Sequence, residues 1–220
     1  MLFRSAGGSI VSSAVRLEVV SASALSNLSV RATMSAGQTL TLGAVVSGGS
    51  KNVLIRAAGP ALNAFGLSGM VDPKLELYAG TSTTATAVND DWPASLGSAF
   101  ASVGAFPFAS SSKDAALSQT LTGSFTVRAS GTGAGVILVE AYDTGGGTSS
   151  RLVNLSARNR VGTGADILIA GFSIVGAGSK QLLIRAVGPT LASFGVPGSL
   201  AAPIVRVVDA KGTEIGRAHV

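Results

Sequence analysis

An internal repeat constrains this chain more than any other feature of its sequence. Residues 49–69 read GSKNVLIRAAGPALNAFGLSG and residues 178–198 read GSKQLLIRAVGPTLASFGVPG, with identical residues at 13 of the 21 aligned positions. A second match lies upstream, where LSNLSVR at residues 25–31 aligns with LVNLSAR at residues 152–158. The copies are about 130 residues apart, too far for one turn of a solenoid, so each copy is expected to be a domain of its own.

The repeat sets the predicted domain boundaries. A complete module is predicted at residues 25–150, and the first half of a second module at residues 151–214. Residues 6–24, which contain the strand-like run VRLEVV, are predicted to end a preceding module. The second copy lacks counterparts of residues 89–142. Its strands are therefore expected either to expose apolar faces or to pair with the first module.

Both ends of the chain resemble translated sequencing adapter. The tail IGRAHV at residues 215–220 is what ATC GGA AGA GCA CAC GTC encodes, and LFRS near the start matches the reverse complement of the same adapter's beginning. We therefore interpret residues 1–5 and 215–220 as foreign to the protein, and the chain as a metagenomic fragment. The only histidine, His219, then falls outside the native sequence. Without Arg4 and Arg217 the formal charge of +5 becomes +3.

Composition and pattern favour an all-β fold. With 29 glycines, 12% charged residues and 5% aromatic residues, the chain suits short strands and tight turns better than long helices. Apolar and polar residues alternate from Phe125 to Ala129, and the GTG that follows at residues 131–133 predicts a hairpin with the next strand. Five strands are predicted, at residues 39–46, 52–57, 74–78, 124–129 and 135–142. We predict β-sandwich or jelly-roll-like modules in tandem, with the second one truncated.

The pattern of apolar runs and charges bears on partners. No apolar run approaches the roughly 18–20 residues that a membrane-spanning helix needs, so no membrane span is expected. The positive charges are scattered singly, without aromatic residues among them, so nucleic acid is not expected to bind. The expected partners are neighbouring repeat modules of the same chain, and a polysaccharide is the alternative partner.

The order of motifs resembles a repeat module of large secreted or surface proteins of environmental bacteria. The motifs are NLSxR, LIRAxGPxLxxFG, a proline-led strand, NDDW at residues 89–92, SKDAAL at residues 112–117 and GVILVEAYD at residues 135–143. The resemblance covers nearly the whole chain. Residues 75–143 are also similar to pre-peptidase C-terminal β-sandwich domains. Both resemblances imply non-catalytic accessory modules, structural or adhesive, in a secreted or cell-surface protein.

The sequence offers little chemistry for an active site. It has no cysteine, and its only histidine lies in the suspected adapter, so neither a thiol nucleophile nor a histidine base is available for a catalytic triad. Asp90 and Asp91 are adjacent and point in opposite directions in an extended segment, unlike the facing carboxylates of glycosidases. Ser50 and Lys51 precede a strand beside glycine, as in a turn. We therefore predict no enzymatic activity.

An acidic turn is the candidate metal site. Asn89, Asp90 and Asp91 offer the hard oxygen ligands that calcium prefers, and Asp114 or Asp143 could complete a shell of six to eight oxygens. The alternative is a capping turn, in which the Asp and Asn side chains accept hydrogen bonds from nearby backbone amides. A structural calcium is the one cofactor considered, and no other is predicted.

Trp92, the only tryptophan, follows the acidic turn and precedes Pro93. An exposed indole would offer a flat apolar platform on which a sugar ring could stack. An indole packed under the loop would instead belong to the core or form a lid over it. Trp92 is therefore the candidate ligand-binding residue, with a packing role as the alternative.

Two arginines occupy equivalent positions inside aliphatic LIRA strands and precede a Gly-Pro pair, whose proline is well placed to begin one helical turn at residues 60–65. A charge in such a strand is costly unless it is paired, so a buried structural arginine is favoured over an anion or sugar-carboxylate site. Asp114 is the expected partner of the first arginine, because Glu76 is replaced by Arg206 in the second copy. The predicted structural residues are Arg56, Gly59 and Pro60, with their counterparts Arg185, Gly188 and Pro189.

Overall fold

The computed structural model describes residues 23–145 and 149–219, together with two short N-terminal strands. The described strands are β1 (Phe3–Ser5), β2 (Gly8–Ile10), β3 (Ala24–Met34), β4 (Leu40–Ala58), β5 (Pro73–Ala79), β6 (Ala87–Asn89), β7 (Ala115–Gly131), β8 (Gly135–Asp143), β9 (Arg151–Arg158), β10 (Ile169–Val175), β11 (Ile204–Val208) and β12 (Glu214–His219). One short α-helix, α1 (Gly97–Ser102), and four 3-10 helices, Pro60–Phe65, Ala94–Leu96, Gly164–Asp166 and Pro189–Phe194, complete the described elements. The predicted all-β fold is confirmed.

The chain divides into two compact units, Met1–Ser179 and Lys180–Val220. The first unit contains a sheet of eight strands, in the order β10-β3-β8-β4-β7-β5-β6, with β9 paired to both β3 and β4. Strands β3, β8, β4 and β9 therefore form a closed circuit of pairings, and the sheet folds back on itself around one core. No helix in the described ranges is long and apolar enough to cross a membrane.

Strand β4 belongs to both parts of this folded sheet. Its first half pairs with β7 and β9, and its second half pairs with β7 and β8, with a break in register between Val46 and Lys51. Such a bend lets one strand change sheets at the corner of a sandwich. The first half alternates buried and less buried residues, whereas residues 53–58 are all buried, because the second half is covered on both faces.

Two apolar clusters cover the two faces of β4. The main core lies inside the folded sheet and includes the side chains from β7 whose alternation the sequence predicts, Phe125, Val127 and Ala129. A second cluster lies on the outer face of the second half of β4, where α1 and the loops around it pack on Leu54 and Ala58. The outer cluster contains most of the candidate functional residues.

The predicted hairpin at residues 131–133 is wrong. Strand β7 pairs with one edge of β4 while β8 pairs with the other, and no backbone ladder joins β7 to β8 within residues 23–145. The turn therefore carries the chain from one edge of β4 to the other instead of folding it back on itself. The backbone at Met70 packs closely against the start of β8, since a Cβ on Gly135 would lie 2.6 Å from the Met70 nitrogen.

Strands β9 and β10 come from the predicted second module and pair with the first. Strand β9 lies beside β4, β10 lies beside β3, and Leu152 is fully buried in the main core. Both outcomes expected for the second copy occur: these strands pair with the first module, and β10 also exposes apolar side chains such as Phe172 and Val175. The packed unit thus runs to Ser179, beyond the repeat boundary predicted at residue 150. Most of the module end predicted at residues 6–24 lies outside the described residues.

The second unit consists of the 3-10 helix Pro189–Phe194 and the hairpin of β11 and β12. Residues 180–187 form no strand, although their counterparts at residues 51–58 form the second half of β4. The prediction that Arg185 lies in a strand is therefore wrong, and the physical reason is that the second copy has no counterparts of β7 and β8 to pair with. Residues 215–219, interpreted as adapter, lie in β12.

Because Leu152 is buried in the core of the first unit, we predict that Leu152→Ala lowers its free energy of unfolding by about 2–5 kcal/mol. Val153, the next residue in β9, is exposed, so Val153→Ala is the matched control with little expected effect. Denaturant unfolding followed through Trp92 measures both. An unchanged transition for Leu152→Ala would show that β9 is not part of this unit.

Candidate functional site

Arg56 is fully buried on the outer face of β4, beneath the second cluster. Its guanidinium carbon lies 4.3 Å from the ring centroid of Phe100, 4.5 Å from that of Phe106 and 4.1 Å from that of Phe108. A cation over an aromatic face is attracted by the electrons of the ring, and the attraction grows when water is excluded. We call these four residues the arginine cage. The strand places the charge, and the loop after α1 supplies two of the three rings.

Glu140 supplies the counter-charge of the cage. It lies opposite Arg56 in the pairing of β4 with β8, and its Oε2 is 3.6 Å from the Arg56 Nε. The Tyr142 hydroxyl donates to Glu140 Oε1 at 2.6 Å. Among the described residues, none of the Arg56 guanidinium nitrogens has a hydrogen-bond partner. The cage is therefore held by charge and ring faces more than by hydrogen bonds.

Burial governs the ionisation of this group of residues. Loss of water raises the pKa of the Glu140 carboxyl, and the nearby Arg56 charge and the Tyr142 hydrogen bond only partly oppose that shift. Burial also lowers the pKa of Arg56, against the attraction of Glu140. The pKa of Tyr142 is raised, first by burial and then by the charge of Glu140. Each ionised form is costly here, and the two opposite charges stabilise each other.

Asp114, the partner predicted for Arg56, has a different role. Its Oδ1 accepts a hydrogen bond from the Gly59 amide at 2.6 Å, and its two oxygens accept from the Ala61 amide at 3.3 and 3.2 Å. The Ser112 hydroxyl also donates to Oδ2. Asp114 thus caps the 3-10 helix that begins at Pro60, while Glu140 forms the ion pair with Arg56. Glu140 could have been found from its place inside the apolar run VILVEAYD.

The Gly-Pro pair has the same local structure in both copies. A Cβ on Gly59 would collide with the Met70 carbonyl oxygen, and one on Gly188 would collide with the Leu200 carbonyl oxygen. Pro60 begins the first 3-10 helix, and the second copy begins its own helix in the same way. The close approach of the backbone therefore requires glycine at this position in each unit.

The second copy repeats the turn without the cage. Pro189 begins its 3-10 helix, and the Leu191 amide bonds to the Gly188 carbonyl at 2.9 Å, the distance found for the corresponding pair of the first copy. Arg185 is exposed, however, so the prediction of a buried structural arginine is wrong at this position. The second copy has no described counterpart of α1 and its phenylalanines to cover the charge.

The side chains of the acidic turn form contacts within the protein. The Asn89 side-chain nitrogen Nδ2 donates to the Asp91 carbonyl at 2.8 Å, and its side-chain oxygen accepts from the Ala116 backbone amide at 2.8 Å. Asp91 pairs with Lys113 at 2.9 Å, and Asp90 is exposed. Asn89 thus accepts from a backbone amide, as in the capping turn, whereas Asp91 binds a lysine side chain instead. Within residues 23–145 and 149–219, no group of three or more acidic or histidine side chains could hold a metal ion.

Asp143, the other carboxylate considered for a metal shell, is also engaged. Its Oδ2 lies 2.9 Å from the buried Lys51 ammonium, and its Oδ1 accepts from the Gly145 amide at 3.0 Å. The Ser-Lys pair considered in the sequence thus places its lysine in an ion pair at the bend of β4. In the part of the chain that the structure describes, neither the Asp143 nor the Asp114 carboxylate forms a metal-binding group with the acidic turn.

Trp92 covers the arginine cage. Its ring stacks on Phe100 at 5.3 Å between centroids and meets Phe108 edge-on at 5.8 Å. The indole nitrogen donates to the Ala109 carbonyl at 3.0 Å, and the side chain is half-buried. Of the two roles considered for this tryptophan, the geometry is that of a lid.

A polar cleft lies beside the cage and was not anticipated from the sequence. Its volume is about 450 Å³. Tyr142 connects it to Glu140, since the phenol lines the cleft and donates to that carboxylate. Other polar groups on its walls come from β3, α1, β8 and β10, and they are Ser26, Asn27, Ser102, Asp143 and Ser173. No sequence pattern joins these residues, because they meet only through the strand pairing.

Comparison with known proteins gives no match: neither a family model, nor a curated protein, nor a solved structure is similar to this chain.

Because Asp114 accepts hydrogen bonds from two backbone amides at a buried turn, we predict that Asp114→Ala lowers the free energy of unfolding by about 2–3 kcal/mol. Asp90→Ala removes an exposed carboxylate nearby and should change it by less than about 0.5 kcal/mol. Thermal melting of both variants provides the measurement. Equal melting temperatures for the two would contradict the capping role.

The raised pKa of Glu140 predicts a sign for the pH dependence of stability. Between the ordinary value of 4.5 and the raised pKa, the native state binds more protons than the unfolded state, so this group's contribution to stability falls as pH rises. Glu140→Gln lacks that contribution. The stability lost by Glu140→Gln should therefore be larger below pH 4.5 than above the raised pKa. Denaturant titrations across this range test it, and a loss that grows with pH would mean that the attraction to Arg56 outweighs burial.

Proposed function

We propose that this chain is a non-catalytic structural or adhesive repeat module of a larger secreted or cell-surface bacterial protein. The observation that carries the proposal is that the groups best suited to chemistry are used to hold the fold together. Arg56 and Glu140 hold α1 and the loop after it against β4, Asp114 caps a turn, and Trp92 packs over the arginine cage. A module built in this way can serve as a spacer between other domains.

The composition supports placing the protein outside the cytoplasm. The chain has no cysteine and 29 glycines, a composition that fits a secreted bacterial protein. Its partners, in this proposal, are neighbouring repeat modules, and the pairing of β9 and β10 with the first module supports that choice. No nucleic acid enters the proposal.

A carbohydrate-binding accessory module is the alternative, and the polar cleft is the observation that favours it. Hydroxyl, amide, phenol and carboxylate groups line it, and these are the groups that exchange hydrogen bonds with sugar hydroxyls. Trp92 lies on the cage instead of in this lining, so the stacking platform expected for a sugar is not supplied by it. A polysaccharide is the ligand class for this alternative.

Calcium enters the proposal only as an alternative ligand of the acidic turn. Asp90 and Asp91 are both exposed there, but Asp91 pairs with Lys113 and the Asn89 side chain bonds to the Asp91 carbonyl. A six- to eight-oxygen shell would require those contacts to be exchanged for the ion. The structural role that we propose requires no cofactor.

Single-molecule force unfolding of the full chain, held at its two ends, tests the structural role. We predict one main unfolding event that releases on the order of 50 nm of chain from the first unit, because β9 and β10 unfold with it. The unfolding force should be the same in calcium and in EDTA. Unfolding at forces no higher than those of a disordered chain would contradict the structural role. Retardation by a polysaccharide in affinity electrophoresis, lost in Asn27→Ala, would favour the carbohydrate alternative.

A further inference from the structure

The strands that join the two copies are themselves the two copies of one segment. Strand β9 is the repeat counterpart of the start of β3, as the LVNLSAR and LSNLSVR motifs show. Strand β10 precedes the second GSK motif as the first half of β4 precedes the first, so these two strands are counterparts as well. We call residues 24–47 and residues 151–175 the first and second module starts. In the first unit, the two module starts pair with each other.

The pairing is reciprocal, residue by residue. Arg31 pairs with Ile169 in one ladder, and Arg158, the counterpart of Arg31, pairs with Thr41 in the other. Thr41 and Ile169 are therefore counterparts in the structure. Of the two extra residues that the second copy has between its LVNLSAR and GSK motifs, one lies before β10 and the other lies between β10 and GSK. Counted from Thr41 and Ile169, every residue pair in the ladder of β10 with β3 corresponds to a pair of counterpart residues in the ladder of β4 with β9. Even the breaks in register correspond, since they fall between Ser173 and Ile174 in one ladder and between Val45 and Val46 in the other.

Close packing follows the same reciprocity. A Cβ on Gly43 would lie 2.5 Å from the Ser156 Oγ, and a Cβ on Gly171 would lie 2.7 Å from the Ser29 Oγ. Gly43 is the counterpart of Gly171, and Ser156 is the counterpart of Ser29. The same glycine and serine therefore meet twice, once in each ladder. An accidental pairing of two unrelated hairpins would not repeat this contact.

One pair of residues lies on the axis that relates the two module starts. Leu25 pairs with Leu152, and these two residues are counterparts of each other. Both leucines are buried in the main core. A residue that faces its own counterpart marks a local two-fold axis, which is the symmetry of an isologous contact between two identical surfaces.

We infer that the module start is a self-complementary docking surface whose partner is a second copy of the same module start. Modules therefore join two by two around a local two-fold axis. An isologous contact closes on itself, and here the other edges of β3 and of the first half of β4 are occupied by β8 and β7. A third module cannot join through this surface, so a longer array would consist of module pairs. The inference rests on the pairing registers alone and stands independently of the proposed structural role.

A chimera of the full chain tests self-complementarity directly. Residues 151–175 are replaced by a second copy of residues 24–47, so that identical module starts must pair. We expect one cooperative transition with a melting temperature within about 4 °C of the unaltered chain. A control chimera carries the same inserted residues in reversed order. If the first chimera loses the cooperative transition just as the control chimera does, the inference is overturned.

A cysteine on the axis tests whether two chains can use the surface in trans. In a chain whose second module start is disabled by Leu152→Arg and Gly171→Val, the first module start is free to pair with that of another chain. Leu25→Cys should then give a disulfide-linked dimer, because residue 25 faces its own counterpart, and the chain has no other cysteine. Ser29→Cys is the control and should give none, because the counterpart of its partner is Gly43. A folded monomer that forms no disulfide-linked dimer would overturn the inference. If the disabled chain does not fold, the melting of the chimera described above tests the inference instead.

Discussion

The fold depends on the backbone pairing of one strand, β4, along both of its edges. Its first half lies between β7 and β9, and its second half lies between β7 and β8. A single strand therefore ties together parts of the chain that are far apart in sequence, including a strand from the next copy of the repeat. The break between Val46 and Lys51 lets the strand turn the corner between the two faces of the core. Residues from both halves of the strand, such as Leu42 and Ile55, belong to the main core.

The packing of α1 and the loop after it on β4 depends on the charge of Arg56, which is buried in an apolar environment. Removing a guanidinium from water is costly, and here the cost is offset by three aromatic faces and one carboxylate instead of a full set of hydrogen bonds. Aromatic attraction to a cation needs the rings to face it, so the cage also fixes the loop that carries Phe106 and Phe108. The capping contacts of Asp114 hold the adjoining turn. The arginine cage and the Asp114 contacts together attach the loop after α1 and the turn at Pro60 to the sheet.

The sequence predicted those features that depend on local residues. The all-β class, the alternation of Phe125 and Val127, and the helical turn that begins at Pro60 all follow from periodicity or from proline geometry. The site was predicted less well. Arg56 was identified as buried, but its partner Glu140 depends on which residues the register places opposite each other, and its cage depends on a loop some 50 residues away.

The errors have the same cause. A glycine-rich turn at residues 131–133 shows where the chain bends, but it does not show whether the next strand lies beside the previous one or on the far edge of β4. Arg185 has the same neighbours in sequence as Arg56, yet a strand forms only where other strands pair with it. The polar cleft was missed because its walls come from separate segments. Long-range pairing decides each of these outcomes.

Native-state hydrogen exchange is the measurement that tests most directly whether the first unit is completed by strands of the next copy. The amides of β9 and β10 should exchange through the same global opening as those of β3 and β4, with one free energy of opening at low denaturant. Exchange of β9 and β10 through a separate opening of much lower free energy, with β3 and β4 still protected, would contradict the account.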